Sequence, residues 1–318
     1  MRISKSFETK TKVARRTAQS VGLLAFALAC ASLMAGSPAT ANTNQNIAGT
    51  QRVYGAIPPD QIEHLSTADR IKSVAASGSM MAIWATLEHG ERVECVDCIP
   101  FIEPLLYDPN PRTREIAAWW LRRRVFGVFG KGEVYERTIQ TLANDPDPVR
   151  RAYAANALGE FLAAPGIDAC AVALGRDPDP NVRAAAAAAL GRLNDDGNGA
   201  MAKALEVDVD PRVKLAVLKA AGRINAFKGV AQVVKVTSDA DARVRRAAAE
   251  LLGAMRAREG VDSLIALAKD PDANVRNAAC HALGALHDPK ARPVLEEVAN
   301  NDPDGLVRDQ ARIALRRL

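Results

Sequence analysis

The chain of 318 residues has little of what catalytic and metal sites are usually built from. It contains four histidines (His64, His89, His281 and His287) and five cysteines. No HxxxH pair exists, and the CxxC at Cys95 and Cys98 has no second copy, so a zinc site would lack two ligands. Cys280 and His281 are adjacent, which on a helix turns their side chains about 100° apart. A P-loop, a GxGxxG and a Ser/His/Asp spacing are also missing. No catalytic, cofactor-binding or metal-ligating residue is therefore expected. Beyond the N-terminal leader, no run approaches the roughly 18 apolar residues of a membrane span. Aromatic residues make up only 4% of the chain, and all three tryptophans (Trp84, Trp119 and Trp120) fall in its first half.

The leader is the first positive feature. Arg2, Lys5, Lys10, Lys12, Arg15 and Arg16 face a single Glu8, then come the apolar run VGLLAFALACASLMAG and the A-x-A site Ala39-Thr40-Ala41. This pattern predicts a signal peptide over residues 1–41, cleaved after Ala41. Arg15-Arg16 resembles a twin-arginine signal, but Thr17-Ala18-Gln19 lacks the apolar residues that should follow. Periplasmic export is the expected destination, with lipid anchoring at Cys30 or secretion as the alternatives. The whole chain has 42 basic and 37 acidic residues; removing 6 and 1 with the leader leaves 36 of each. A formally neutral, exported protein makes nucleic acid an unfavourable partner. Residues 42–65 are polar, contain Pro58-Pro59, and read as a tether.

What the chain has in abundance is one sentence, written seven times. The copies begin at Asp108, Asp145, Asp177, Asp208, Asp239, Asp270 and Asp302, at spacings of 37, 32, 31, 31, 31 and 32 residues. Typical are DPDPNVRAAAAAALG from Asp177 and DPDANVRNAACHALG from Asp270. A period near 31 predicts a stacked solenoid in which each unit touches its neighbours. The second polar residue of each copy (Asn110, Asp147, Asp179, Asp210, Asp241, Asp272, Asp304) is placed to cap a helix. Pro111, Pro148, Pro180 and Pro211 follow at the first helical position. Val182, Ala186, Ala189 and Leu190 then mark an apolar face at helical spacing. Gly159, Gly191, Gly222, Gly253 and Gly284 permit close packing or a break. Shorter amphipathic runs from Val134, Gly166, Gly229, Gly260 and Ala291 supply the second helix of a pair.

These copies resemble HEAT repeats, most closely the short HEAT-like subtype found in phycobilisome lyases and many bacterial scaffold proteins. The resemblance covers residues 108–318 and implies an all-α, right-handed α-solenoid of about seven helix pairs. It implies little about activity, because the same repeat hosts lyases, hydroxylases, nucleic-acid enzymes and adaptors. The HEAT-repeat hydroxylase that acts on deoxyhypusine binds iron through His-Glu pairs, and no histidine here precedes a glutamate. The phycobilin lyases work on cytosolic antenna proteins, and DNA glycosylases of this class need a basic concave face. Neither demand suits a neutral exported chain.

One cation recurs six residues after each opening Asp: Arg114, Arg151, Arg183, Lys214, Arg245, Arg276 and Arg308. At that offset it can pair with its own loop or the next, and a structural ladder is expected. The N-terminal end is less regular. Residues 66–98 read as a capping helix pair, with Ser66 and Ser79 as N-caps and Gly78 and Gly90 as stops. Residues 99–318 then hold the seven repeats. Trp84 and Trp120 fall on apolar faces. Trp119 steps off that face, beside Arg122, Arg123 and Arg124, and the long first spacing places Phe126 and Phe129 in an insertion. Together these six residues form a candidate partner-binding patch. Cys95 and Cys98 are a candidate disulfide in an oxidising compartment; Cys170 and Cys280 lie too far apart to bridge.

The sequence thus predicts a non-catalytic protein-interaction scaffold of the bacterial envelope. Binding is expected along the concave face, where Asn156, Lys219, Glu250 and His281 vary between copies. The rival reading is a thiol-redox or metal-dependent factor centred on the CxxC, or a lyase- or oxidoreductase-like HEAT protein.

Overall fold

Each repeated loop starts a helix because it supplies the hydrogen-bond acceptor that a helix N-terminus lacks. The computed structural model describes residues 44–47, 51–54, 64–124, 132–193, 198–224 and 226–318. The predicted leader, residues 1–41, lies outside them. The motif-bearing helices are α4 (Pro111–Arg122), α6 (Pro148–Phe161), α8 (Pro180–Leu193), α10 (Pro211–Ala221), α12 (Ala242–Ala254), α14 (Ala273–Leu286) and α16 (Gly305–Leu315). All seven expected N-caps accept from a backbone N–H of the first turn, as Asn110 does from Arg112 and Asp272 from Asn274 and Val275.

A second row alternates with the first: α5 (Glu133–Asn144), α7 (Pro165–Arg176), α9 (Asn198–Val207), α11 (Val230–Lys235), α13 (Val261–Leu267) and α15 (Arg292–Asn301). The first repeat fills this row with a short α3 (Ile99–Ile102) running into a 3-10 turn, Glu103–Tyr107. The result is an all-α solenoid. Its core is a continuous apolar seam between the rows, from Ile71 to Ala314. Among the described residues no helix is long and apolar enough to cross a membrane.

The capping pair is α1 (Ala68–Ser77) and α2 (Met80–His89). Ser79 caps α2 as expected, but Thr67 rather than Ser66 caps α1. Ser66 is buried and instead donates to the Thr86 carbonyl at 2.7 Å, tying the two helices together. The proposed tether needs a second correction. Asn44–Ile47 (β1) and Gln51–Tyr54 (β2) pair antiparallel, and β2 pairs in turn with Val93–Glu94 (β3). Part of residues 42–65 is therefore backbone-paired to the turn after α2.

Close packing of the motif row depends on one glycine–alanine contact per joint. A Cβ added at Gly159, Gly191, Gly253 or Gly284 would lie 2.7–2.9 Å from Ala189, Ala220, Ala282 or Ala314 of the following motif helix. The glycines are thus packing residues, not breaks. Two joints depart from this pattern. Gly222 faces Leu251, where other copies have alanine, and a Cβ there would sit 3.7 Å from the leucine Cδ1. In the first copy the glycine position is Arg122. The α10–α12 and α4–α6 joints are accordingly looser than their neighbours. Contacts between successive motif helices are more extensive than those between successive helices of the second row.

Gly253→Ala should destabilise the protein by roughly 1–3 kcal/mol, because backbone rather than a flexible chain end opposes the new methyl. Gly175→Ala meets nothing within 4 Å in α7 and should be neutral or stabilising by up to about 1 kcal/mol. Urea denaturation of the two variants beside the parent checks the contrast.

Candidate functional site

The repeated cation is structural wherever two regular repeats meet. Arg151, Arg183, Arg245 and Arg276 each direct Nε and Nη2 to the opening aspartate of the next repeat (Asp177, Asp208, Asp270 and Asp302), at 2.7–3.1 Å. The Nη1 of each donates to carbonyls of its own loop. Lys214 reaches Asp239 with a single 2.5 Å contact. Each of these aspartates also accepts from the backbone N–H two residues on, so one carboxylate joins two units and shapes the loop. Burial is the largest single influence on the Asp177 and Asp270 carboxyls and pushes them up, but the arginine hydrogen bonds, the backbone N–H two residues on and the nearby guanidinium charges together hold them below the usual range. At Asp302 the hydrogen bond from Arg276 dominates in the same direction. These side chains are mostly covered, so the ladder is not an exposed basic strip.

The ladder has no rung at Arg308, which donates to the Asp302 and Pro303 carbonyls of its own loop and pairs with no carboxylate among the described residues. It also fails at the first joint. Arg114 Nη1 donates to the Asp108 and Pro109 carbonyls at 2.6 and 2.9 Å, as in every regular copy. Its guanidinium lies over the Tyr153 ring, 3.8 Å from the centroid, and no described carboxylate pairs with it. Asp145, the aspartate in the equivalent position, is taken by Arg150 at 2.8 Å, and that hydrogen bond lowers its carboxyl. Arg150 in turn stacks on Tyr107 at 4.3 Å, and Arg137 bridges to Glu103 through two 2.7 Å bonds. The first joint therefore replaces the ladder rung with aromatic stacking.

A cavity of about 260 Å³ opens at this joint, lined by Arg114, Glu115, Tyr153, Asn156, Glu160 and Arg192 among others. Glu160 is paired with Arg192 and Glu115 with Arg112. A second motif-row cavity, about 470 Å³, is lined by Arg246, Glu250, Asn274, Asn277, His281 and Leu306. Three of the four variable positions expected on the inner face thus line cavities, while Lys219 lies in neither of these two. A third, more apolar groove of about 630 Å³ runs between α5 and α7 in the second row, past Leu142, Ala169 and Val172.

The six-residue patch expected around Trp119 does not form one exposed surface. Arg124 is 1% exposed. It stacks on Trp120 at 3.5 Å and donates to the carbonyls of Trp120, Gly90, Glu91 and Val93. Its physical role is to satisfy the turn between α2 and β3, which corrects the partner-site assignment for this residue. Arg123 pairs with Glu91 at 2.9 Å, and Trp119 is half-buried against the core. Arg122 is partly exposed at the end of α4. Phe126 and Phe129 lie outside the described residues.

Cys95 and Cys98 are joined as a disulfide across the 3-10 turn that follows β3, Val96–Cys98, with Cys98 fully buried and Cys95 nearly so. Burial leaves an attacking thiolate little access to either sulfur. Cys170 and Cys280 are free and completely buried, and burial pushes both thiols up to about 12. No group of three or more metal-ligating side chains occurs among the described residues.

What the sequence reading missed is Tyr153. Its position in the copy holds alanine in the next four repeats (Ala185, Ala216, Ala247, Ala278), so the exception was visible once the copies were aligned. Tyr107 and the Glu103–Arg137 bridge lie outside the repeated sentence and gave no comparable signal.

The architecture defines an α-solenoid, and the family model for HEAT repeats matches residues 135–220, 173–236 and 230–316. That is more than half of the chain, which belongs to the HEAT-repeat family. No curated protein matches the sequence significantly. Among solved structures, the chain is similar to YibA of Escherichia coli at 18% identity and a TM-score of 0.47, covering 68% of this chain and 92% of YibA. A HEAT-like repeats protein from the archaeon Thermococcus onnurineus matches at 15% identity and TM-score 0.48, covering 69% and 96%. The CpcE–CpcF complex of phycocyanin lyase from Nostoc sp. matches at 24% identity and TM-score 0.38, covering 69% and 86%.

Arg245→Ala should cost about 3 kcal/mol, because it leaves the Asp270 carboxylate covered and unpaired. Arg308→Ala should cost only about 1 kcal/mol, since that residue serves one loop; chemical denaturation of both reads the difference. Acid should act on the same groups. Hydrogen bonds from Arg212 and Arg243 hold Asp210 and Asp241 down to about 2, and the ladder carboxyls Asp177, Asp270 and Asp302 are lowered too. A depressed folded value stabilises above the ordinary carboxyl range and is lost as protons bind the folded state. The Tm should therefore fall most steeply below about pH 4, measured by calorimetry down to pH 2.

Proposed function

We propose that this chain is an exported, non-catalytic scaffold of the bacterial envelope that binds a protein partner along its motif-helix row. One observation carries the reading. The repeated cations of the regular joints are spent inside the structure, whereas side chains that differ between copies (Asn156, Glu250 and His281) line open cavities on the row. A surface whose constant residues hold the frame and whose variable residues face outward suits recognition of one specific protein. The leader supports export, and a buried disulfide is in keeping with an oxidising compartment.

Photo-crosslinking amino acids at Asn156 and His281 should capture a discrete partner from intact cells, while the same group at Gly175 in the second row should not. Equal capture from both rows, or none from either, removes the scaffold reading. Export is tested separately: N-terminal sequencing of the protein recovered from the envelope should begin at Asn42.

A further inference from the structure

Four sister sites in this molecule show what an unfilled arginine fork at this position is shaped to hold. In repeats 2, 3, 5 and 6 the guanidinium is fixed by its own loop through Nη1, and its Nε and Nη2 grip a carboxylate presented by the next repeat. Arg114 keeps the first half of that arrangement, with Nη1 on the Asp108 and Pro109 carbonyls. Its Nε and Nη2 have no acceptor among the described residues. The ring of Tyr153 supports one face of the guanidinium, and the aspartate due to fill the fork is held by Arg150. The donors are thus preorganised by two carbonyls and an aromatic face, and left vacant beside a cavity.

We propose that Arg114 is the receptor of a carboxylate-binding site at the first inter-repeat joint, and that a partner polypeptide supplies the carboxylate. The second half of this statement rests on the scaffold reading; the first half does not. The lining as a whole is balanced, Arg114 and Arg192 against Glu115 and Glu160, so the site rests on geometry: Glu115 pairs with Arg112 and Glu160 with Arg192, and Arg114 has no side-chain carboxylate among the described residues. A planar bidentate carboxylate matches the two parallel donors, as the internal rungs show. Asn156 lies on the same lining and offers an amide to whatever chain carries that group. A lysine at position 114 would keep the charge and lose the fork.

The Nε–Hε resonance of Arg114 in the purified protein reads the site directly, assigned by its loss in Arg114→Lys. N-acetylglutamate α-methylamide offers a side-chain carboxylate, N-acetylalanine a chain end, and N-acetylglutamine methylamide neither. At least one of the two acids should shift the Arg114 resonance saturably, and the neutral amide should not; which acid binds more tightly identifies the source. The Kd read from that shift should rise about tenfold or more when Tyr153→Ala removes the supporting ring. Absence of a saturable shift, an equal response to the amide, or tighter binding of inorganic phosphate than of either acid would overturn the site.

The origin of the ligand is tested apart from the site. Arg114→Lys should reduce crosslinking from Asn156 in cells at least several-fold, with the urea midpoint of the variant confirming that it folds. Undiminished crosslinking overturns the partner's carboxylate as the ligand, whereas a wild-type protein that never crosslinks sinks the scaffold reading and leaves the resonance result standing.

Discussion

The structure depends on a carboxylate that serves two masters at each regular joint. The opening aspartate of a repeat accepts from the backbone N–H that tightens its own loop, and receives the arginine or lysine of the repeat before it. Loop conformation and repeat stacking are thereby coupled: neither contact forms well without the other. In a solenoid that coupling matters more than in a globular domain, since each unit has only its neighbours to lean on. The ion pairs lie largely out of water, where breaking one partner is expensive even if the intact pair adds modest net stability. Their value is register. They fix which residue of one helix meets which residue of the next, and the glycine–alanine contacts then allow the close approach that the register sets up.

The two irregular joints show what happens when that code is relaxed. Leu251 replaces alanine opposite Gly222, keeping the Lys214–Asp239 rung but widening the approach of α10 and α12. At the first joint both elements are gone. Arg122 stands where glycine is usual, the arginine–aspartate rung is replaced by Arg114 on Tyr153 and Arg150 on Tyr107, and a polar cavity opens. The proposed carboxylate site sits where the construction rule is suspended, as expected if local consistency is given up only where something is gained.

Much of this was legible in the sequence, and the reasons are specific. An Asp or Asn two residues after the opening Asp, followed by proline in four of the copies and ahead of an apolar helical stripe, has one sensible place, and all seven caps are there. The cation six residues on could reach its own loop and the next, and four arginines do both. The capping pair was read correctly as helices, yet its first cap shifted from Ser66 to Thr67, because neighbouring hydroxyls differ only in the direction the incoming chain gives them. The row of Arg122, Arg123 and Arg124 was harder. Successive helical residues point about 100° apart, and nothing local tells which of three like charges turns inward. An arginine is rarely buried, so Arg124 was placed on the surface; only the turn at Gly90–Val93, some thirty residues earlier, makes its burial favourable. The helix Asn198–Val207 also went unremarked, since the segment before it shows no repeat.

The anchoring of that turn has a consequence for how the protein tolerates change. Arg124 holds the N-terminal cap through the main-chain oxygens of Gly90, Glu91 and Val93, not through any side chain. Those oxygens are present whatever residues occupy the positions, so this contact asks nothing of the turn's own composition. All of its specificity is vested in a single codon thirty residues downstream. Glu91 and Val93 can change without removing an acceptor, whereas Gly90 cannot take a side chain freely, because an added Cβ would lie 2.8 Å from Ile71 Cδ1.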